Sequence, residues 1–142
     1  MTEHAMRGFV RAFCNALSTR DIGLIAPFLH DEIEWTVFGP VDLFSFFGQR
    51  RGKAAVLAMC EEIAGTLELT RCDKETTLYD GDNAACLMKL IARDPRTGRT
   101  LSFRLAQFAS FKDGKLISLK AVFDTFDAAE QALGRAIDLT AA

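Results

Sequence analysis

A change of hydrophobic period part-way along the chain is the feature that most constrains its fold. Met6, Phe9, Val10, Phe13 and Leu17 recur at spacings of three and four, which predicts a helix over about residues 3–19 with one apolar stripe. Asp21 is placed to cap a second helix carrying Ile22, Ile25, Phe28 and Leu29, and Pro27 keeps that helix short by removing a backbone hydrogen bond. The period then becomes two. Ile33, Trp35 and Val37 alternate with Glu34 and Thr36, the pattern of a half-buried strand, which Gly39-Pro40 ends. A phenylalanine-rich loop (Leu43, Phe44, Phe46, Phe47) closes at Gly48, and Val56, Met59, Cys60 and Ile63 mark a third helix.

The second half reads as strands. A strand with a break is expected around Leu69 to Tyr79, followed by a turn at Asp80-Gly81-Asp82. Cys86, Met88 and Leu90 share one face of the next strand, with Lys89 on the other. Asp94-Pro95-Arg96-Thr97-Gly98 carries the residues of a turn, and Lys112-Asp113-Gly114 those of a tight hairpin joining Leu101–Phe111 to Leu116–Phe123. Asp127 with Glu130 three residues on has the form of a capping box for a last helix reaching about Ile137. Helices first and strands after them predict an α+β fold: a strongly curved, mainly antiparallel sheet wrapped around the N-terminal helices. With 142 residues and no linker or repeat, residues 1–142 are expected to form a single domain.

Composition excludes several classes of function. Hydrophobic residues make up 49% and charged residues 25%, enough for a substantial core, and no apolar run approaches the roughly 18 residues of a membrane span. The first residues lack the apolar core of a secretory signal. A net charge of −2 offers no general attraction for nucleic acid or membrane lipid, so neither is expected as a partner. Cys14, Cys60, Cys72 and Cys86 form no C-x-x-C pair; they read as small buried hydrophobes of a protein in the reducing cytoplasm. With only His4 and His30 as imidazoles, no metal site is expected. Gly48-Gln49-Arg50-Arg51-Gly52-Lys53 is one residue short of a phosphate loop, and Ala54 stands where a magnesium-binding hydroxyl belongs. It reads as a basic loop entering a helix, and no cofactor is called for. A G-x-S-x-G elbow is absent, and Cys14 beside an apolar stripe reads as core rather than as a nucleophile paired with His30.

The aromatic content is more informative. Twelve phenylalanines and Trp35 fall mainly at strand and loop positions, where they either fill or line the hollow of a curved sheet. Leu101, Phe103, Leu105, Gln107 and Ala109 share one strand face by period-two alternation, so Gln107 is an amide in an apolar row. A buried amide needs partners, which makes Gln107 either a scaffold anchor or the recognition group of a pocket.

From about residue 4 to 138 the chain resembles the nuclear transport factor 2-like superfamily, most closely its SnoaL-like branch. The resemblance is carried by Phe13 through Asp21-Ile22 to Phe28-Leu29-His30-Asp31-Glu32-Ile33-Glu34-Trp35, by Phe47-Gly48 with Gly52-Lys53, and by Phe111-Lys112-Asp113-Gly114-Lys115-Leu116 running into Phe123-Asp124. It implies a cone-shaped, cystatin-like α+β barrel, dimeric through the outer sheet face, with a deep internal pocket. Members include ketosteroid isomerases, polyketide cyclases, an epoxide hydrolase, dehydratases and modules without chemistry.

The resemblance also implies where functional groups would fall. The isomerase base falls on Val37, its oxyanion-hole tyrosine on Phe13 and its second acid on Gln107. The cyclase histidine and aspartate fall on Gln107 and Ala121. The epoxide hydrolase triad falls on Met88, Leu90 and Ala121, and its water-holding pair on Trp35 and Val37. None of these side chains can move a proton in those roles. A one-residue slip would turn Glu34, Thr36, Arg104 and Asp124 inward instead.

The expected function is therefore a SnoaL-like pocket protein for a small, largely apolar molecule with a polar handle. Phe13, Trp35, Val37, Met88, Leu90, Leu105, Ala121 and Phe123 would form the walls and Gln107 would meet the handle. If the protein isomerises, cyclises or hydrates a carbonyl compound, the base would come from His30, Glu34 or Asp124. The alternative is a non-catalytic sensing or dimerising module. A homodimer is expected through the face of Arg104, Ala106, Phe108 and Ser110.

Overall fold

The computed structural model describes residues 2–39, 44–138 and 140; the expectations for Pro40 and Leu43 lie outside the described residues. Helix α1 (Thr2–Thr19) buries Met6, Phe9, Val10, Phe13 and Leu17, the stripe read from their spacing. The short second helix is two 3₁₀ turns, Ile22–Leu24 and Ala26–Phe28, with Pro27 inside the second. Asp21 precedes them but makes no side-chain cap. Leu29 already belongs to strand β1 (Leu29–Phe38), not to a helix.

Strand β2 (Gly48–Arg51) corrects the reading of this segment as a basic loop. It pairs antiparallel with β1, Trp35 opposite Arg50, and the Gly52 N–H donates to the Ile33 carbonyl at 2.7 Å. Gly48 and Gly52 have φ of 105° and 87°, so both bends around this strand need glycine. Three polar residues and a glycine, with no apolar alternation, show pairing only when β1 is beside them.

Helix α2 (Lys53–Thr66) leads into β3 (Glu68–Asp80), β4 (Asn83–Arg93), β5 (Thr100–Lys112) and β6 (Lys115–Phe123). The break expected in β3 is present as two register shifts, at Leu69/Arg71 and Lys74/Thr76. The β5–β6 turn places Asp113 and Gly114 at φ of 54° and 75°, the left-handed pair of a two-residue hairpin. Asp94 is buried in the β4–β5 turn, where its carboxylate accepts from the Arg96 N–H at 2.9 Å. That backbone bond, reinforced by the Arg96 and Arg99 guanidiniums, holds the carboxyl below its ordinary pKa against the opposing effect of burial.

The sheet order is β2-β1-β6-β5-β4-β3, antiparallel except for β1 with β6. β2 and β3 are its edges and do not pair, so the curved sheet is open, which corrects the expected barrel. α1 packs against β3 and β4, and α2 against β1 and β2. Helices therefore fill the hollow that strand pairing would otherwise close.

Cysteine usage also needs correction. Cys60 and Cys86 are free and buried as expected, but Cys14 of α1 and Cys72 of β3 are half-buried and joined as a disulfide, Cα–Cα 6.4 Å. Fifty-eight residues separate them, so no local spacing signals the pair, and it withdraws cysteine usage as an argument for a reducing compartment.

Helix α3 (Thr125–Leu133) starts one turn earlier than expected. Asp124, not Asp127, is its N-cap, its carboxylate accepting from the Asp127 N–H at 3.1 Å. Gly134, at φ 73°, ends it before Ile137. The Gln131 amide bonds both the N–H and the carbonyl of Ser102, at 2.7 and 2.6 Å, taking the place of a neighbouring strand where β6 has run out. Removing the cap with Asp124→Ala is expected to cost about 1 kcal/mol, read as a lower urea midpoint at unchanged slope.

Candidate functional site

The inward residues of four strands converge on one cavity. β5 supplies Phe103, Leu105 and Gln107; β6 supplies Ala121 and Phe123; β1 supplies Trp35 and Val37; β4 supplies Leu90. Register sets Gln107 opposite Cys86 on one side and Ala121 on the other, and Ala121 in turn opposite Val37. The small Ala121 therefore sits between two longer side chains. The roof is Phe13 and Leu17 of α1, Ile63 of α2 and Leu67 just beyond it, with Phe44, Phe46 and Phe47 closing the side.

Aromatic rings form two groups around this space. Phe9, Phe13 and Trp35 meet at centroid distances of 5.9–6.1 Å. Phe44 stacks on Phe46 at 5.0 Å, Phe47 lies edge-on to both, and Phe103 and Phe123 continue the cluster. The phenylalanines thus do both things considered for them: they line the cavity and largely fill it. About 70 Å³ is open, the room of roughly two waters and less than the ~150 Å³ of a cavity that takes benzene.

Eight of the nine residues expected at the pocket surround this cavity. Met88 is buried in the core but is not part of its lining, because its neighbour Leu90 is the β4 residue that reaches it. The sequence reading did not assign Leu17, Ile63, Leu67, Phe44, Phe46, Phe47 and Phe103 to the pocket. Leu17 and Ile63 lie on the α1 and α2 stripes, Phe44, Phe46 and Phe47 in the phenylalanine-rich loop and Phe103 in the β5 row with Gln107, but helix placement over the sheet is not a local property.

The candidate bases lie elsewhere. His30 is at the start of β1, where its Nδ1 accepts from the Glu32 N–H at 3.0 Å. Glu34 is exposed and faces Arg51 at 3.6 Å. Asp124 caps α3, and Arg104 pairs outward with Glu75 at 2.7 Å. Burial pushes the Cys60 thiol up to about 12, which favours its neutral form. Among the described residues, no three His, Cys, Asp or Glu side chains come together as a metal site.

The cavity lining among the described residues therefore contains no ionisable group. Its polar atoms are the Gln107 amide and the Trp35 indole nitrogen. Both side chains are almost wholly buried, at 4% and 2% exposure. Gln107 Oε1 and Trp35 Nε1 have no hydrogen-bond partner among the described residues. Such an arrangement can bind and orient a polar handle by hydrogen bonds; it cannot accept or deliver a proton by titration.

An open curved sheet with helices in its hollow and an apolar internal cavity defines a pocket protein of the nuclear transport factor 2-like kind. The family model of the SnoaL-like domain matches residues 10–119, and the chain belongs to this family. It is 42% identical to a proposed isomerase from Rhodopseudomonas palustris, with a TM-score of 0.90 over 95% of this chain and 100% of that one. TerC, crystallised with polyporic acid, shares the fold at 19% identity and a TM-score of 0.76, covering 91% of this chain and 98% of its own. An NTF2-like protein from Burkholderia xenovorans LB400 does so at 20% identity and 0.74, covering 92% and 96%. No curated protein matches the chain.

Proposed function

We propose that residues 1–142 act as one SnoaL-like domain that takes up a small, largely apolar molecule, with Gln107 holding its polar handle. The observation that carries this reading is the cavity itself: apolar walls, no charged side chain among the described residues that line it, and a lining amide, Gln107, whose oxygen has no partner among the described residues. The co-crystal of TerC with polyporic acid lends support from the same fold. Native mass spectrometry of the purified protein tests it through a co-purified small molecule. Trp35 is the sole tryptophan and lines the cavity, so its emission reports occupancy directly. No bound molecule, and no change in emission with any small apolar compound, would reject the reading.

Catalysis of an isomerase, cyclase or hydratase type has one specific observation in its favour, the 42% identity to the proposed isomerase. With no titratable group lining the cavity among the described residues, their part in such a reaction is orientation and hydrogen bonding to an oxygen where charge develops, with the proton moved by water or by the substrate. Absence of turnover on an occupied pocket would favour the sensing module. A cytoplasmic setting belongs to the same proposal. The free, buried thiols of Cys60 and Cys86 support it and the Cys14–Cys72 bond runs against it.

The proposed assembly is a homodimer through the outer sheet face. Phe38, Val122 and Ala106 stand in one row across β1, β6 and β5, and Phe108 with Ala85 and Leu78 in the next. Phe108 is 53% exposed and Leu78 66%, and α3 docks at Ser102 rather than over this face. Sedimentation at micromolar concentration is expected to give twice the 15.7 kDa of one chain, and Phe108→Asp to give the single-chain mass. A wild-type chain sedimenting at 15.7 kDa would reject the dimer.

A further inference from the structure

We infer that the ligand is an uncharged molecule carrying both a hydrogen-bond donor and an acceptor, the donor for Gln107 Oε1 and the acceptor for the Trp35 indole N–H. This rests on the cavity being the binding site and specifies what it binds. The two orphan groups are of opposite kind: an amide oxygen can only accept, and an indole nitrogen can only donate. They stand on different strands, Gln107 on β5 and Trp35 on β1, and both line the same space. A ligand with only a carbonyl would leave Gln107 Oε1 unpaired, and a hydrocarbon would leave both. A hydroxyl supplies both functions, as does a hydroxy-ketone or an enolised dicarbonyl. An ionised ligand is disfavoured on physical grounds. Among the described residues the lining holds no cation or anion to pair with an ionised group, and transfer of an unpaired ion into apolar surroundings is far costlier than transfer of a neutral one. Trp35 is thus a specificity residue as well as a wall.

Phenol and toluene test this because they differ by one hydroxyl for one methyl. Each is titrated calorimetrically into the wild-type chain and into Phe44→Ala, where the lost ring leaves space for the probe. In a purely apolar cavity, toluene binds tighter than phenol by about tenfold or more, since the buried hydroxyl has no partner. Here phenol is expected to bind at least as tightly as toluene. In Gln107→Leu and in Trp35→Phe, each made in the background that binds, phenol is expected to fall about tenfold below toluene. Toluene binding tenfold or more tighter than phenol in the unsubstituted pocket would overturn the inference while leaving the cavity as a binding site. Binding of neither probe to either chain would overturn both. Melting curves of the two variants verify that they are folded, and either one alone suffices for the comparison.

Discussion

Phe47→Ala is expected to destabilise the protein by about 3–5 kcal/mol, the largest effect of any single truncation near the site. The ring is 2% exposed and touches Phe44, Phe46 and Phe123, so it joins the phenylalanine-rich segment to the end of β6. It also lies against Gly39, where a Cβ would run into the ring, so the backbone leaving β1 is shaped around this side chain. Truncation removes the buried area and leaves a void that cannot collapse, because the strands on either side are fixed by their pairing. Urea unfolding should show the loss as a lower midpoint. A change under about 1 kcal/mol would mean that the ring is not packed as described.

Gln107→Leu is expected to act in the opposite direction. The amide is 4% exposed and its oxygen is unpaired among the described residues, a situation that costs about 1–3 kcal/mol relative to an apolar group of similar volume. Leucine at this position should therefore raise the stability of the ligand-free protein by about that amount, seen as a higher midpoint in thermal melts, while ligand that depends on the amide is lost. Such a trade of stability for recognition is what a binding residue in a core row produces. A variant less stable by 1 kcal/mol or more would show instead that Gln107 anchors the scaffold.

The parts of the fold that were legible in the sequence are those with local causes. The α1 stripe, the alternation of β4 and β5 and the Asp113-Gly114 hairpin each follow from neighbouring residues, so spacing and turn chemistry were enough. Most of the cavity's sheet wall followed too, because alternation decides which side chains share a face. The capping box expected at Asp127 did not hold: the Asp124 carboxylate takes the Asp127 N–H because the chain leaving β6 turns there.

By itself, then, the sequence determined an α+β chain with an apolar strand face interrupted by Gln107, since period and residue type act within a few residues. Contacts between distant residues required the tertiary structure. Only there does β2 gain a partner, does Cys14 meet Cys72 across 58 residues, and do helices rather than hydrogen bonds stand between the sheet's two edges. The lack of a partner for Trp35 Nε1 and Gln107 Oε1 among the described residues is of the same kind. A side chain's type states what bonds it can make, but whether a partner is within reach is settled by the packing of every element around it.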